Sequence, residues 1–117
     1  MPEDFNKLIF QFKERLKVLN RSPSTIKSYC SHISTFWHVA GSTNVKKITR
    51  ESIEAYVVTL YDHRDTDGKA YSIGTICVKV RSIKRFFEYL EFANIIFINP
   101  TEFISEPKKE KRLPKDI

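Results

Sequence analysis

Glycine is scarce in this chain, with three residues in 117, and proline contributes five. So little punctuation leaves no room for many short strands joined by tight turns, and it argues for a few long elements. Three glycines also cannot build the phosphate-cradling loops of the common nucleotide-binding fingerprints. Cysteine appears twice, at Cys30 and Cys77, each among apolar neighbours at core-like helical positions. With no secretory context, the pair is expected to be buried, reduced thiols rather than a disulfide. Long apolar runs are missing too: the stretch 95–98 is far too short to span a bilayer, and no signal or transit peptide precedes it. The chain therefore reads as soluble and cytoplasmic. The three histidines, His32, His38 and His63, have no cysteine partners at metal-ligand spacing, so neither a zinc site nor any other cofactor is expected. The acids at 62–67 lack the ligand series of a calcium loop. His32 and His38 are instead placed on a solvated face or against phosphate.

The most informative absence is of acid. No carboxylate falls between Glu14 and Glu51, where Arg15, Lys17, Arg21, Lys27, Lys46, Lys47 and Arg50 all lie. None falls between Asp67 and Glu88, where Lys69, Lys79, Arg81, Lys84 and Arg85 lie. The whole chain carries 20 Lys and Arg against 14 Asp and Glu, a formal +6, but the two cleared windows say more than the total. They suggest a one-sided positive field, which a polyanion selects.

What is present is helical. Apolar residues make up 41%, enough for a real core in one domain. Phe5, Leu8, Ile9, Phe12, Leu16 and Leu19 share one face of a first helix over about 4–20, which turns at Asn20 and Arg21. Ser22-Pro23-Ser24-Thr25 opens a second, with Ser22 as cap and Pro23 at the first helical position. Its buried face is Ile26, Tyr29, Cys30, Ile33, Phe36, Trp37 and Ala40, and Gly41 stops it. The opposite face carries Thr25, Lys27, Ser28, Ser31, His32 and Thr35. Thr49 caps a third helix that buries Ile53, Tyr56, Val57 and Leu60. The polar stretch 62–68 reads as a loop, in preference to a hairpin around Asp67-Gly68. Ser72 caps a fourth helix with Ile73, Ile76, Cys77, Val80, Ile83, Phe87 and Leu90 inward, and Thr75, Lys79 and Ser82 in one outward stripe beside Arg81, Lys84 and Arg85. Asn99-Pro100-Thr101-Glu102 has the form of a capping box opening a short fifth helix through Ile104. Residues 1–104 then form the domain, and 105–117 a flexible basic tail.

The two stripes share an opening, Ser-x-x-Thr-Ile at 22–26 and at 72–76, each inside an acid-free window. Short hydroxyls allow close backbone approach, and Lys and Arg neutralise phosphates, so duplex DNA is the expected ligand. Two alternatives share part of the pattern. A helix-turn-helix regulator needs its paired helices adjacent, whereas here a whole helix and a loop separate the basic ones. A helical-bundle interaction module needs an exposed patch, for which 95–98 with Phe103 is the best candidate.

The run Ser22 to Tyr29 with Ile33, Phe36 and Trp37 resembles the second helix of the phage integrase core-binding domain. Ile48-Thr49 through Ile53 and Tyr56 resembles its third, and Ser72, Thr75 and Ile76 with Ile83, Phe86, Phe87, Tyr89 and Leu90 its fourth. Asn99-Pro100, then Pro107-Lys108-Lys109 and Leu113-Pro114, resembles the passage toward the catalytic domain of tyrosine recombinases. The resemblance implies an all-α, SAM-like orthogonal bundle of four to five helices. Its second and fourth helices would grip an attachment or core site in the major groove during DNA integration or recombination. Thr25, Lys27 and Ser28 on one helix, and Thr75, Lys79 and Ser82 on the other, are the implied contacts, to which the outward face of the second helix adds Ser31 and His32. Arg81, Lys84 and Arg85 would be phosphate neighbours, and Lys108, Lys109, Lys111 and Arg112 would track the backbone. The family cuts DNA through a covalent phosphotyrosine intermediate made in a separate C-terminal domain. This chain is thus expected to be a non-catalytic fragment of a longer enzyme that self-associates on DNA. Gly74 departs from the bulkier polar residue usual at that position.

Overall fold

The structure, a computed structural model, describes residues 5–40 and 44–107. Four helices follow in order: α1 (Phe5–Val18), α2 (Pro23–Val39), α3 (Arg50–Asp62) and α4 (Ile73–Phe92), with a single 3₁₀ turn at Val45–Lys47 that the sequence did not announce. No strand occurs among the described residues, so the all-α expectation stands. Each of the last three helices starts where its cap chemistry places it. Ser22, Thr49 and Ser72 accept the N–H of the residue three positions on, and Pro23 occupies the first turn of α2.

Two helices end the same way. Asn20 and Asn94 both adopt φ 61°, the left-handed conformation that asparagine tolerates. In each case the next residue's N–H reaches back five positions, Arg21 to Leu16 at 3.0 Å and Ile95 to Leu90 at 2.8 Å. This reversal at the helix end satisfies carbonyls that would otherwise be orphaned.

α4 is the axis of the bundle. It packs most extensively on α2, with α1 and α3 also against it. Phe86, Phe87 and Leu90 are wholly buried on it. Aromatic rings knit the elements together: Phe5 stacks on Trp37 with centroids 4.4 Å apart, Phe12 meets Phe86 edge-on at 5.5 Å, and Phe36 meets Tyr56 at 5.0 Å. Each such pair contributes about 0.5–1.5 kcal/mol beyond its buried area.

Several expected details differ. Ile73, read as inward, is 38% exposed, and Leu19 lies beyond the end of α1 in the open. Gly41 falls outside the described residues; α2 ends at Val39 with Ala40 as its cap. The fifth helix is only a turn. Asn99 Oδ1 takes both the N–H of Thr101, at 2.8 Å, and its hydroxyl, at 2.7 Å, and the chain then stays irregular. The 62–68 loop is more ordered than its composition suggested. Arg64 and Ala70 form one antiparallel bridge, Gly68 turns at φ 79°, and the Asp65 carboxylate accepts from the N–H groups of Asp67 and Lys69. Those bonds, that of Lys69 foremost, hold the Asp65 carboxyl below its usual range. Among the described residues no three metal-ligating side chains gather. Cys30 and Cys77 are free and half-buried rather than buried. Burial pushes the Cys30 thiol up, against an opposing pull from Lys13.

Candidate nucleic-acid interface

The openings of α2 and α4 are near copies. Ser22 and Ser72 have φ, ψ of −69°, 154° and −70°, 158°. In each, the Thr N–H three residues on donates to the Ser Oγ at 3.1 Å, and the Ser hydroxyl donates to the Thr Oγ1 at 3.0 Å. Neither first turn carries an acid, so the positive end of both helix dipoles is left uncancelled. Thr25, Ser28 and Thr75 are half-buried, while Lys27, Ser31 and Thr35 are exposed. Thr35 spends its hydroxyl proton on the Ser31 carbonyl at 3.2 Å.

The two faces meet at His32 and Lys79. Lys79 Nζ lies 3.4 Å from His32 Nδ1 and 4.9 Å from the centre of the Tyr71 ring, and Tyr71 in turn stacks on His63 at 4.2 Å. Burial lowers the Lys79 ammonium pKa. Burial first, and then Lys79, lowers that of His32. Both cationic forms therefore lack a counter-charge at this junction. Sequence reasoning missed Tyr71 and His63. The available signal was an aromatic residue directly before the Ser72 cap.

The rest of the expected α4 set is committed elsewhere. Ser82, assigned to the outward stripe, is 0% exposed, and its hydroxyl donates to the Val78 carbonyl at 2.8 Å. It packs inside the bundle and presents nothing to a ligand. Arg81 pairs bidentately with Glu106, at 2.9 Å for the closest contact, and that hydrogen bond is the main reason its pKa is raised. Lys84 donates to the carbonyls of Thr101 and Ile104. Arg85 pairs with Glu88 at 3.0 Å. The Cys77 thiol adds a contact to the Pro107 carbonyl. Residues 105–107, expected to begin a flexible tail, thus lie against α4. Lys108, Lys109, Lys111 and Arg112 lie outside the described residues.

On another side, Phe97, Ile98 and Phe103 are 94%, 75% and 74% exposed beside a groove of about 770 Å³, while Ile95 and Ile96 turn inward. No helix among the described residues is long and apolar enough to cross a membrane.

The family model described as phage integrase, N-terminal SAM-like domain, matches residues 8–95. The chain is 29% identical over 110 residues to a tyrosine recombinase of Thermosipho africanus, covering 93% of this chain and 38% of that protein. It is 31% identical over 97 residues to tyrosine recombinase XerC of Herpetosiphon aurantiacus, covering 80% and 30%. It is 28% identical over 116 residues to XerC of Bacillus subtilis, covering 97% and 36%. The chain therefore spans about a third of the length of these relatives. No solved structure matches it.

Proposed function

Because this chain belongs to the phage integrase N-terminal, SAM-like domain family, we propose that it grips duplex DNA through the opening halves of α2 and α4 on behalf of a tyrosine-type recombinase. The observation that carries this reading is the 3.4 Å approach of Lys79 to His32. It joins the opening halves of two helices, neither with an acid of its own, into one surface that a single duplex would touch. An α-helix with its side chains is about 10–12 Å across, and the major groove is about 12 Å wide. Thr25, Ser28 and Thr75 let the backbone approach closely, and Lys27, Ser31 and His32 extend the contact on α2. On α4, Lys79 is the cation at the junction, and Arg81 and Arg85 border the surface, each still about two-fifths exposed despite its carboxylate partner. Cutting and rejoining would fall to another part of such a recombinase, working in the cytoplasm on copies assembled at neighbouring sites.

The test is duplex binding by the 117-residue chain as a function of salt. Affinity should fall tenfold or more between low and physiological ionic strength, as several released counterions require. Lys27→Glu should weaken binding about tenfold at low salt, about 1.4 kcal/mol, and leave thermal melting unchanged. Failure to bind at low ionic strength sinks the reading. The exposed Phe97 and Phe103 favour a second reading, a protein-docking face, which light scattering at rising concentration addresses: a strict monomer weakens it.

A further inference from the structure

Resting on that reading, we infer that a second element of the grip lies away from the His32–Lys79 junction: a seat for one backbone phosphate, formed by Arg15, Arg21 and Arg85. Three separate elements bring these arginines to one hollow of about 200 Å³, together with Tyr29 and Tyr89. Arg15 comes from the last turn of α1, Arg21 from the α1–α2 turn and Arg85 from α4. Pockets that enclose whole small molecules run to about 300–1,000 Å³, so this hollow suits a single anionic group. Three arginines and one acid, Glu88, are among the residues that line it, a cationic balance that outlasts the Arg85–Glu88 pairing.

Much of the seat is held in place before any ligand arrives. Arg15 lies over the Phe92 ring, 4.3 Å from its centre, and Arg85 is braced by Glu88 at 3.0 and 3.3 Å. Arg21 is fixed through its backbone by the left-handed Asn20 and the 3.0 Å bond to the Leu16 carbonyl. Its side chain is exposed and has no partner among the described residues. That makes Arg21 the group with full donor capacity for an incoming oxygen, and the planar fork of arginine matches phosphate bidentately. The position fits a duplex as well, because Arg21 directly precedes the Ser22 cap of α2. Tyr29, which lines the hollow, stands on the same helix as Lys27 and Ser28, one turn on from Thr25. A strand passing the start of α2 would therefore meet the hollow next.

Arginine Nε–Hε resonances of the 117-residue chain, assigned with Arg21→Gln, report the seat directly during titration with inorganic phosphate or with a DNA duplex. The Arg21 and Arg15 signals should move with both. Arg21→Gln should bind duplex about fivefold more weakly, with the slope of log affinity against log salt reduced by about 0.9 and melting unchanged. If duplex binds while these signals stay still and Arg21→Gln matches the parent, the seat is overturned and the grip by α2 and α4 survives. If phosphate moves the signals but duplex never binds at low salt, the grip is overturned and so is the duplex as the source of the phosphate. If neither ligand moves them, the hollow is no anion site.

Discussion

The two acid-free windows look alike in sequence and behave differently in space. Within 15–50, Arg21, Lys27, Lys46 and Lys47 stay exposed with no side-chain partner among the described residues, while Lys17 pairs with Glu14, Arg50 with Glu54, and Arg15 lies over Phe92. Within 68–87, four of the five cations are occupied: Lys79 by His32 and Tyr71, Arg81 by Glu106, Lys84 by two carbonyls, and Arg85 by Glu88. The acids that cap the second set come from just past the window or from the far end of the chain. A stretch cleared of carboxylates is therefore not a surface cleared of them. Tertiary neighbours decide which charges remain available to a polyanion, and here they leave α2 the more open of the two faces.

The sharpest way to break this comparison is at Ser82. If the second window presented a free hydroxyl stripe, Ser82→Leu would reduce DNA binding and spare the fold. Its complete burial predicts the reverse: overpacking between helices should cost about 1–3 kcal/mol, read as a lower melting temperature. Next comes Lys84→Met, which removes the donor holding the Thr101 and Ile104 carbonyls. A loss of about 1–2 kcal/mol is expected, the scale of hydrogen bonds to a charged group discounted for partial exposure. Amide exchange should quicken at 101–107. Unchanged exchange there would mean that the cation does not tie the segment.

The smallest effect belongs to the point where the windows touch. His32 is held below its ordinary pKa of 6.5, so on acidification the unfolded chain takes up this proton before the folded one. The stability at stake is complete above 6.5 and is lost as pH falls below it. Melting temperature should therefore drop as pH is lowered through that value, and His32→Gln should flatten this part of the profile. An unaltered profile in the variant would show that the junction does not sense the proton.

Helix starts were legible in the sequence because capping is local chemistry: Ser22, Thr49 and Ser72 act on an N–H only three residues away. The core was legible where apolar residues recur at helical period, as in Leu8, Phe12 and Leu16. Ser82 was not, because a serine inside a helix can give its proton to the carbonyl four residues back, here Val78, and so enter the interior without an unsatisfied group. The partners of Arg81 and Lys84 were hidden for a different reason. They lie 17 to 25 residues away, and no window of local pattern contains both ends. The same distance concealed that 105–107 docks on α4. Ile73 shows the limit of period alone: in phase with the core, it is still exposed as the first residue of α4.

The twin caps have a polarity of their own. In each, the serine proton is given to the threonine oxygen and the threonine amide is given to the serine oxygen, so the two groups close a small ring. One hydrogen is left over at either helix, that of the Thr25 or Thr75 hydroxyl. Each threonine oxygen keeps this hydrogen and one lone pair clear of the ring, so either helix can both give a bond to an approaching molecule and take one from it.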